Sequence, residues 1–162
     1  MKKVIAFILV LFLTSCNDGD FDVPAFEFTE TVNSCNEYLL YIQSSTSTEF
    51  LILELTSPQL GTTLGEESYP IPGSVDVIYR IFEEKIIGND YFCQSIPPSS
   101  PKILKELIAS GGRLHIDTSE IEANGTVEGY EYVITISDLL FDDGKERIFF
   151  ENFVFGTFTI NN

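Results

Sequence analysis

The stretch YEYVITISDLLFDDGKERIFFENFVFGTFTI, residues 130–160, decides the fold. Tyr130, Tyr132, Ile134 and Ile136 alternate with Glu131, Val133, Thr135 and Ser137, and the run continues through Leu139, Leu140 and Phe141. A period of two sends successive side chains to opposite faces, which is the signature of a strand. Asp142-Asp143-Gly144-Lys145 then supplies an Asp-Gly pair that tolerates positive φ in a tight hairpin. The return strand, 148–160, carries apolar residues on both faces. That predicts a central or bulged strand, with Glu151-Asn152 as the bulge.

Upstream the same period recurs. Residues 37–42 form a short apolar-aromatic run, and Leu51, Leu53 and Leu55 alternate with Phe50, Ile52 and Glu54. Val75, Val77, Tyr79 and Ile81 alternate with Asp76, Ile78, Arg80 and Phe82, and Leu114 and Ile116 with Arg113, His115 and Asp117. One segment differs: residues 101–110 have apolar residues at helical spacing, with Ser100 as N-cap, Pro101 at N1 and Gly111 where a terminating glycine belongs. A short helix is predicted there, and an edge strand is the alternative. Residues 95–101, with three prolines, form a stiff extended connection inside the domain. Several short strands with turn signals and almost no helix predict an all-β fold: a single-domain antiparallel β-sandwich, Ig-like or related, with at most one short helix. An up-and-down β-barrel is the alternative.

At the other end of the chain, Lys2 and Lys3 precede the uncharged apolar run 4–13, the layout of a secretory signal and too short to span a bilayer. Leu13-Thr14-Ser15-Cys16 resembles the bacterial lipobox. The resemblance implies cleavage before Cys16 and lipid on its thiol and new amino group; an ordinary signal peptide whose cleavage site contains a cysteine is the alternative. Stable anchoring takes two acyl chains or more, at about 0.8 kcal/mol per buried methylene, so a triacylated Cys16 holds the protein on a membrane without a spanning helix. Asp18, Asp20 and Asp22 follow. An acidic patch in this position resembles the export signal of surface lipoproteins of the Bacteroidetes and implies an outer-membrane, surface-exposed location; a hydrated tether explains the patch equally well. The three aspartates also imitate the opening of an EF-hand loop, but Val23 and Thr29 stand where that loop needs Gly and Glu. Residues 110–116, 130–136 and 153–158 together resemble a strand pattern of flavobacterial lipoproteins to which no activity attaches. The expected organisation is a lipoprotein signal peptide at 1–15, an acidic tether and first strand at 16–30, and the β-sandwich at 31–162.

The chain carries 25 acidic and nine basic residues, a formal charge of −16, and loses two more positive charges with the leader. Such a field repels phosphate backbones, so nucleic acid is excluded as an expected partner. Cys35 and Cys93 remain after Cys16. Outside the cytoplasm such a pair is expected to be bridged, stabilising the fold by about 4 kcal/mol on the chain-entropy argument; two free buried thiols are the alternative. Nothing nominates a catalytic residue, metal or cofactor: there is no Gly-x-Ser-x-Gly elbow, Walker loop or dinucleotide turn. The single histidine, His115, reads as an exposed strand residue, and Asp117, Glu120 and Glu122 as ordinary surface acids that could at most hold a hard cation. With 14 Phe, seven Tyr and no Trp, the phenylalanines read as core. Tyr69, Tyr91 and Tyr130, near turns, are the candidate ligand contacts. The expected function is that of a non-enzymatic anchored lipoprotein, an accessory or interaction component held on the membrane through Cys16 with a possible protein partner in the outer membrane. A ligand-binding module for a glycan or small apolar molecule is the alternative.

Overall fold

The computed structural model describes residues 26–162 apart from Glu37 and Glu146. The expected leader, Cys16 and the acidic residues 17–22 lie outside the described residues. Those described form one curled, antiparallel, eight-stranded sheet. In chain order the elements are β1 Asn33–Cys35, β2 Leu39–Gln43, β3 Glu49–Glu54, a 3-10 turn Ser57–Leu60, β4 Gly65–Ile71 and β5 Asp76–Phe82. There follow a one-turn helix, α1, at Gly88–Phe92, then β6 Ile103–Ala123, β7 Thr126–Asp142 and β8 Arg147–Asn161. No helix among the described residues is long and apolar enough to cross a membrane.

The strands run β1-β2-β3-β5-β6-β7-β8, with β4 also paired to β6. The 21-residue β6 therefore serves three partners: its start pairs with β5 at residues 103–108, and its later part with β4 at 112–118 and β7 at 109–123. The first strand is β1, just beyond the 16–30 segment; before it Phe28 bridges Ser44 and Thr31 bridges Thr157 of β8 in parallel. The second bridge sets the start of the described chain against the last strand, so the curl brings the two ends of the strand order together.

The expected helix at 101–110 is not formed. Leu107 and Ala109 are buried while Glu106 and Ile108 face out, a period of two, and Ile108, Leu107 and Glu106 pair with Ile78, Tyr79 and Arg80. A short amphipathic segment with both periods available takes the one that its neighbour's unpaired backbone can satisfy. The guanidinium of Arg80 donates to Glu106 across the same ladder. The helix that does form, α1, had no sequence signal.

The inner face of the sheet encloses one apolar cluster. Leu40, Ile42, Leu51, Leu53, Val77 and Tyr79 come from β2, β3 and β5, and Leu114, Ile116, Ile134, Ile136, Phe141 and Phe155 from β6, β7 and β8. The opposite face of β2, β3 and β5 is also buried, by a second cluster of Tyr41, Phe50, Ile52 and Phe82 with Ile86 and Tyr91 around α1. Burial on both faces explains why Phe50–Leu55 is apolar at almost every position.

A crease crosses three strands. On β6 the core-facing residues are Leu107 and Ala109, then Leu114 and Ile116, so the phase slips at Gly111-Gly112. On β7 it slips at Asp138, between Ile136 and Leu139, and on β8 at Glu151-Asn152, between Phe153 and Phe150. Gly112 has φ +140° and Asp138 φ +52°. The slip at Glu151-Asn152 falls where the bulge was expected, but the ladder there keeps its register; the register shifts instead around Phe155, because Ile134 pairs with Gly156 and Thr135 with Val154. Bulges bend a strand and raise its twist, and here they turn the sheet through the corner between β6's two sets of partners.

Candidate functional site

Phe26 and Phe28 lie against the inner cluster, Phe26 stacked on Tyr79 with ring centroids 4.4 Å apart and Phe28 edge-on to Phe153 at 6.2 Å. Between this segment and β8 opens a cleft of about 430 Å³, lined by Phe28, Thr29, Glu30, Phe153, Val154 and Phe155 among others. Its volume is that of a site for a small molecule, and its floor is the buried Ile42 and Phe155. The aromatics that make it reach one place because the Thr31–Thr157 bridge holds residues 26–31 beside β8.

The three candidate tyrosines are not brought together. Tyr91, on α1, is only 7% exposed and packs edge-on to Phe82 and Phe92 in the second cluster. Tyr69 on β4 and Tyr130 on β7 lie on opposite sides of β6, each half-buried against the inner cluster. The Tyr69 hydroxyl donates to Glu67 at 2.9 Å, and burial with that carboxylate raises its pKa above 10.0. Tyr132, which sequence reading passed over, is the more deeply placed phenol, donating to the carbonyls of Leu60 and Gly61.

Cys35 and Cys93 meet at disulfide distance, with Cα atoms 5.0 Å apart across 58 residues of sequence. The pair ties β1 to the end of α1 and so pins the cover of the second cluster. A second cleft, about 280 Å³, runs between residues 85–91 and Pro98–Pro101 beside that cover. Ile87 in its lining is exposed, as are Ile96 in the connection before β6 and Leu104 and Ile108 on β6.

His115 is more engaged than an exposed strand residue. Its side chain is 25% exposed, with Nδ1 3.1 Å from Glu66 Oε1 and Nε2 3.0 Å from Ser137 Oγ. Asp117, Glu120 and Glu122 are exposed along β6, and among the described residues no three His, Cys, Asp or Glu side chains converge on a metal position. No protein-family model, curated protein or solved structure matches the chain.

Proposed function

We propose that the chain is a lipoprotein anchored through Cys16 at the outer membrane, where its β-sandwich holds a small apolar ligand in the cleft between residues 28–30 and β8. The observation that carries the binding role is the cleft itself: Phe28, Phe153 and the exposed Val154 present apolar surface around a volume of about 430 Å³. The anchor rests on the apolar run 4–13 followed by Leu13-Thr14-Ser15-Cys16, and the outward location on the aspartates behind it. Thr29, Glu30 and Thr157 add polar groups to this apolar rim, so a ligand with an apolar body and a polar end, such as a fatty acid, fits the cleft.

A thermal-shift panel of fatty acids, phospholipids and glycans tests the reading. A ligand at 100 times its Kd stabilises by about 2.7 kcal/mol. The fitting lipid raises the melting temperature of the wild type and not of Phe153→Asp; a panel without a shift sinks the binding role. Incorporation of an alkynyl palmitate lost in Cys16→Ser tests the anchor separately. An accessory role within a larger membrane assembly is a second reading, favoured by the exposed apolar side chains Ile87, Ile96, Leu104 and Ile108. Crosslinking on intact cells that recovers a stoichiometric partner supports it, and recovery of the protein alone counts against it.

A further inference from the structure

On the outward face of the sheet, three adjacent strands align a carboxylate, an imidazole and a hydroxyl. His115 lies on β6 between β4 and β7, opposite Ser68 on one side and Thr135 on the other. Glu66 and Ser137 are its diagonal neighbours, each two residues along from those partners, and diagonal neighbours are within reach of long side chains. All three point out because Leu114, Ile116, Ile134 and Ile136 point in.

The hydrogen-bond chemistry has one solution for a neutral ring. An ionised carboxylate only accepts, so Glu66 Oε1, 3.1 Å away, takes the proton of His115 Nδ1. Nε2 is then the unprotonated nitrogen, and at 3.0 Å it accepts from Ser137 Oγ. Serine, imidazole and carboxylate thus stand in the order in which an imidazole acts as general base toward a nucleophilic hydroxyl. Two further observations concern Ser137 itself. It stands at the crease, next to Asp138 at φ +52° and across from Gly112 at φ +140°, a paired irregularity of the kind that aims a side chain out of the regular pleat. It is also flanked in the register by Arg113 on β6 and Asn152 on β8, both exposed. Cross-strand partners share a face, so the Asn152 carboxamide borders the hydroxyl and can donate to a developing oxyanion, whereas the Arg113 guanidinium donates to Ser68 Oγ on the β4 side at 3.4 Å.

We propose that Ser137, His115 and Glu66 form a nucleophilic serine site that hydrolyses esters of short acyl groups, with Asn152 as oxyanion donor. Ser137 Oγ attacks the ester carbonyl as its proton passes to His115 Nε2. The tetrahedral oxyanion is held by Asn152, then collapses and breaks the bond to the alcohol, which leaves with the proton from Nε2. Water, deprotonated by the same nitrogen, attacks the acyl-serine, and Ser137 regains its proton as the acid departs. Glu66 is a positioning residue, fixing the ring's tautomer. The register neighbours of the three are Asp117, Ser68, Thr135, Arg113 and Asn152, all polar, and offer no apolar wall for a long acyl chain; an acetyl group suits them.

The test treats detergent-solubilised full-length protein with a fluorophosphonate probe and, separately, with p-nitrophenyl acetate. The expected result is a phosphonylated peptide containing Ser137, with labelling abolished in His115→Gln. Ester hydrolysis falls by about 100-fold or more in Ser137→Ala, as loss of a nucleophile and its base predicts. Asn152→Ala and Glu66→Gln lower kcat with KM unchanged. An unlabelled Ser137 in folded wild-type protein overturns the proposal whatever the variants do. So does Ser137→Ala hydrolysing at the wild-type rate, which would make the three residues a hydrogen-bonded surface patch.

Discussion

A methyl group built on Gly88 would stand 2.4 Å from Cε2 of Tyr41, so α1 rests directly on that ring. Gly88→Ala must push the helix off the second cluster, and the expected cost, typical of overpacking, is about 1–3 kcal/mol in chemical denaturation. The same ring donates its hydroxyl to Asn89, and burial with the nearby Asp90 raises its pKa above 10.0. Tyr69, Tyr79 and Tyr132 are raised as well, burial being the first cause in each; Tyr79, fully buried and donating to Glu49 at 2.6 Å, is raised furthest. A phenol whose pKa rises on folding holds its proton longer in the folded chain than in the unfolded one. Stability is therefore level below the unfolded value of 10.0 and falls as pH climbs past it, by up to about 1.4 kcal/mol per pH unit for a fully buried group. Absorbance at the tyrosinate band should show Tyr41, Tyr69, Tyr79 and Tyr132 ionising late, and Tyr79→Phe should soften the alkaline loss of stability. Alternation along a strand shows which way a tyrosine points but not what folds over it. For that reason Tyr91, near a turn in the sequence, could be read as a ligand contact and yet lies in the core.

The long strands were legible because burial on one face writes alternation into them, as at Tyr130–Ile136. Their ends and pairings were less so. Asn124-Gly125, with φ +53° and +78°, joins β6 to β7 by a two-residue turn of the kind in which both central residues need positive φ. Asn-Gly before the alternating run at Tyr130–Ile136 is itself a hairpin signal. The strand β4, with Glu66, Glu67 and Pro70 in seven residues, carries too little apolar pattern to announce itself; edge strands are built that way to discourage pairing with other chains. The meeting of Glu66, His115 and Ser137 was illegible for the same reason, since it depends on the register of β4 on β6. Two predictions belong to these elements. Gly112→Ala puts a Cβ 3.3 Å from Leu139 Cα and Ser137 O at a φ that side chains disfavour, so it should destabilise the crease by about 1–3 kcal/mol, read as a lower denaturation midpoint. Reducing the Cys35–Cys93 pair should lower stability by about 2–5 kcal/mol, with amide exchange rising first at residues 86–93. Unchanged exchange there would show that α1 is held without the bridge.

At the scale of the molecule, a formal charge of −16 on 162 residues works against compaction by self-repulsion. Sodium chloride raised from about 10 mM to about 0.5 M should therefore increase the melting temperature by a few degrees, because a shorter Debye length screens the repulsion. A flat response would mean that local pairs such as Arg80–Glu106 already balance the field. The bridge from Thr31 to Thr157 has a consequence for how the protein is made. A chain exported as proposed emerges beyond the membrane N-terminus first, and here the segment that emerges early has to wait for β8. Until residue 157 is free, Phe26 and Phe28 have only part of their packing. Without β8 the inner cluster stays open on that side, and a product ending at Lys145 should be cut by protease at concentrations that spare the full chain. Closure therefore waits on β8, so a chain cut short before that strand is removed altogether instead of persisting as a shortened, folded one.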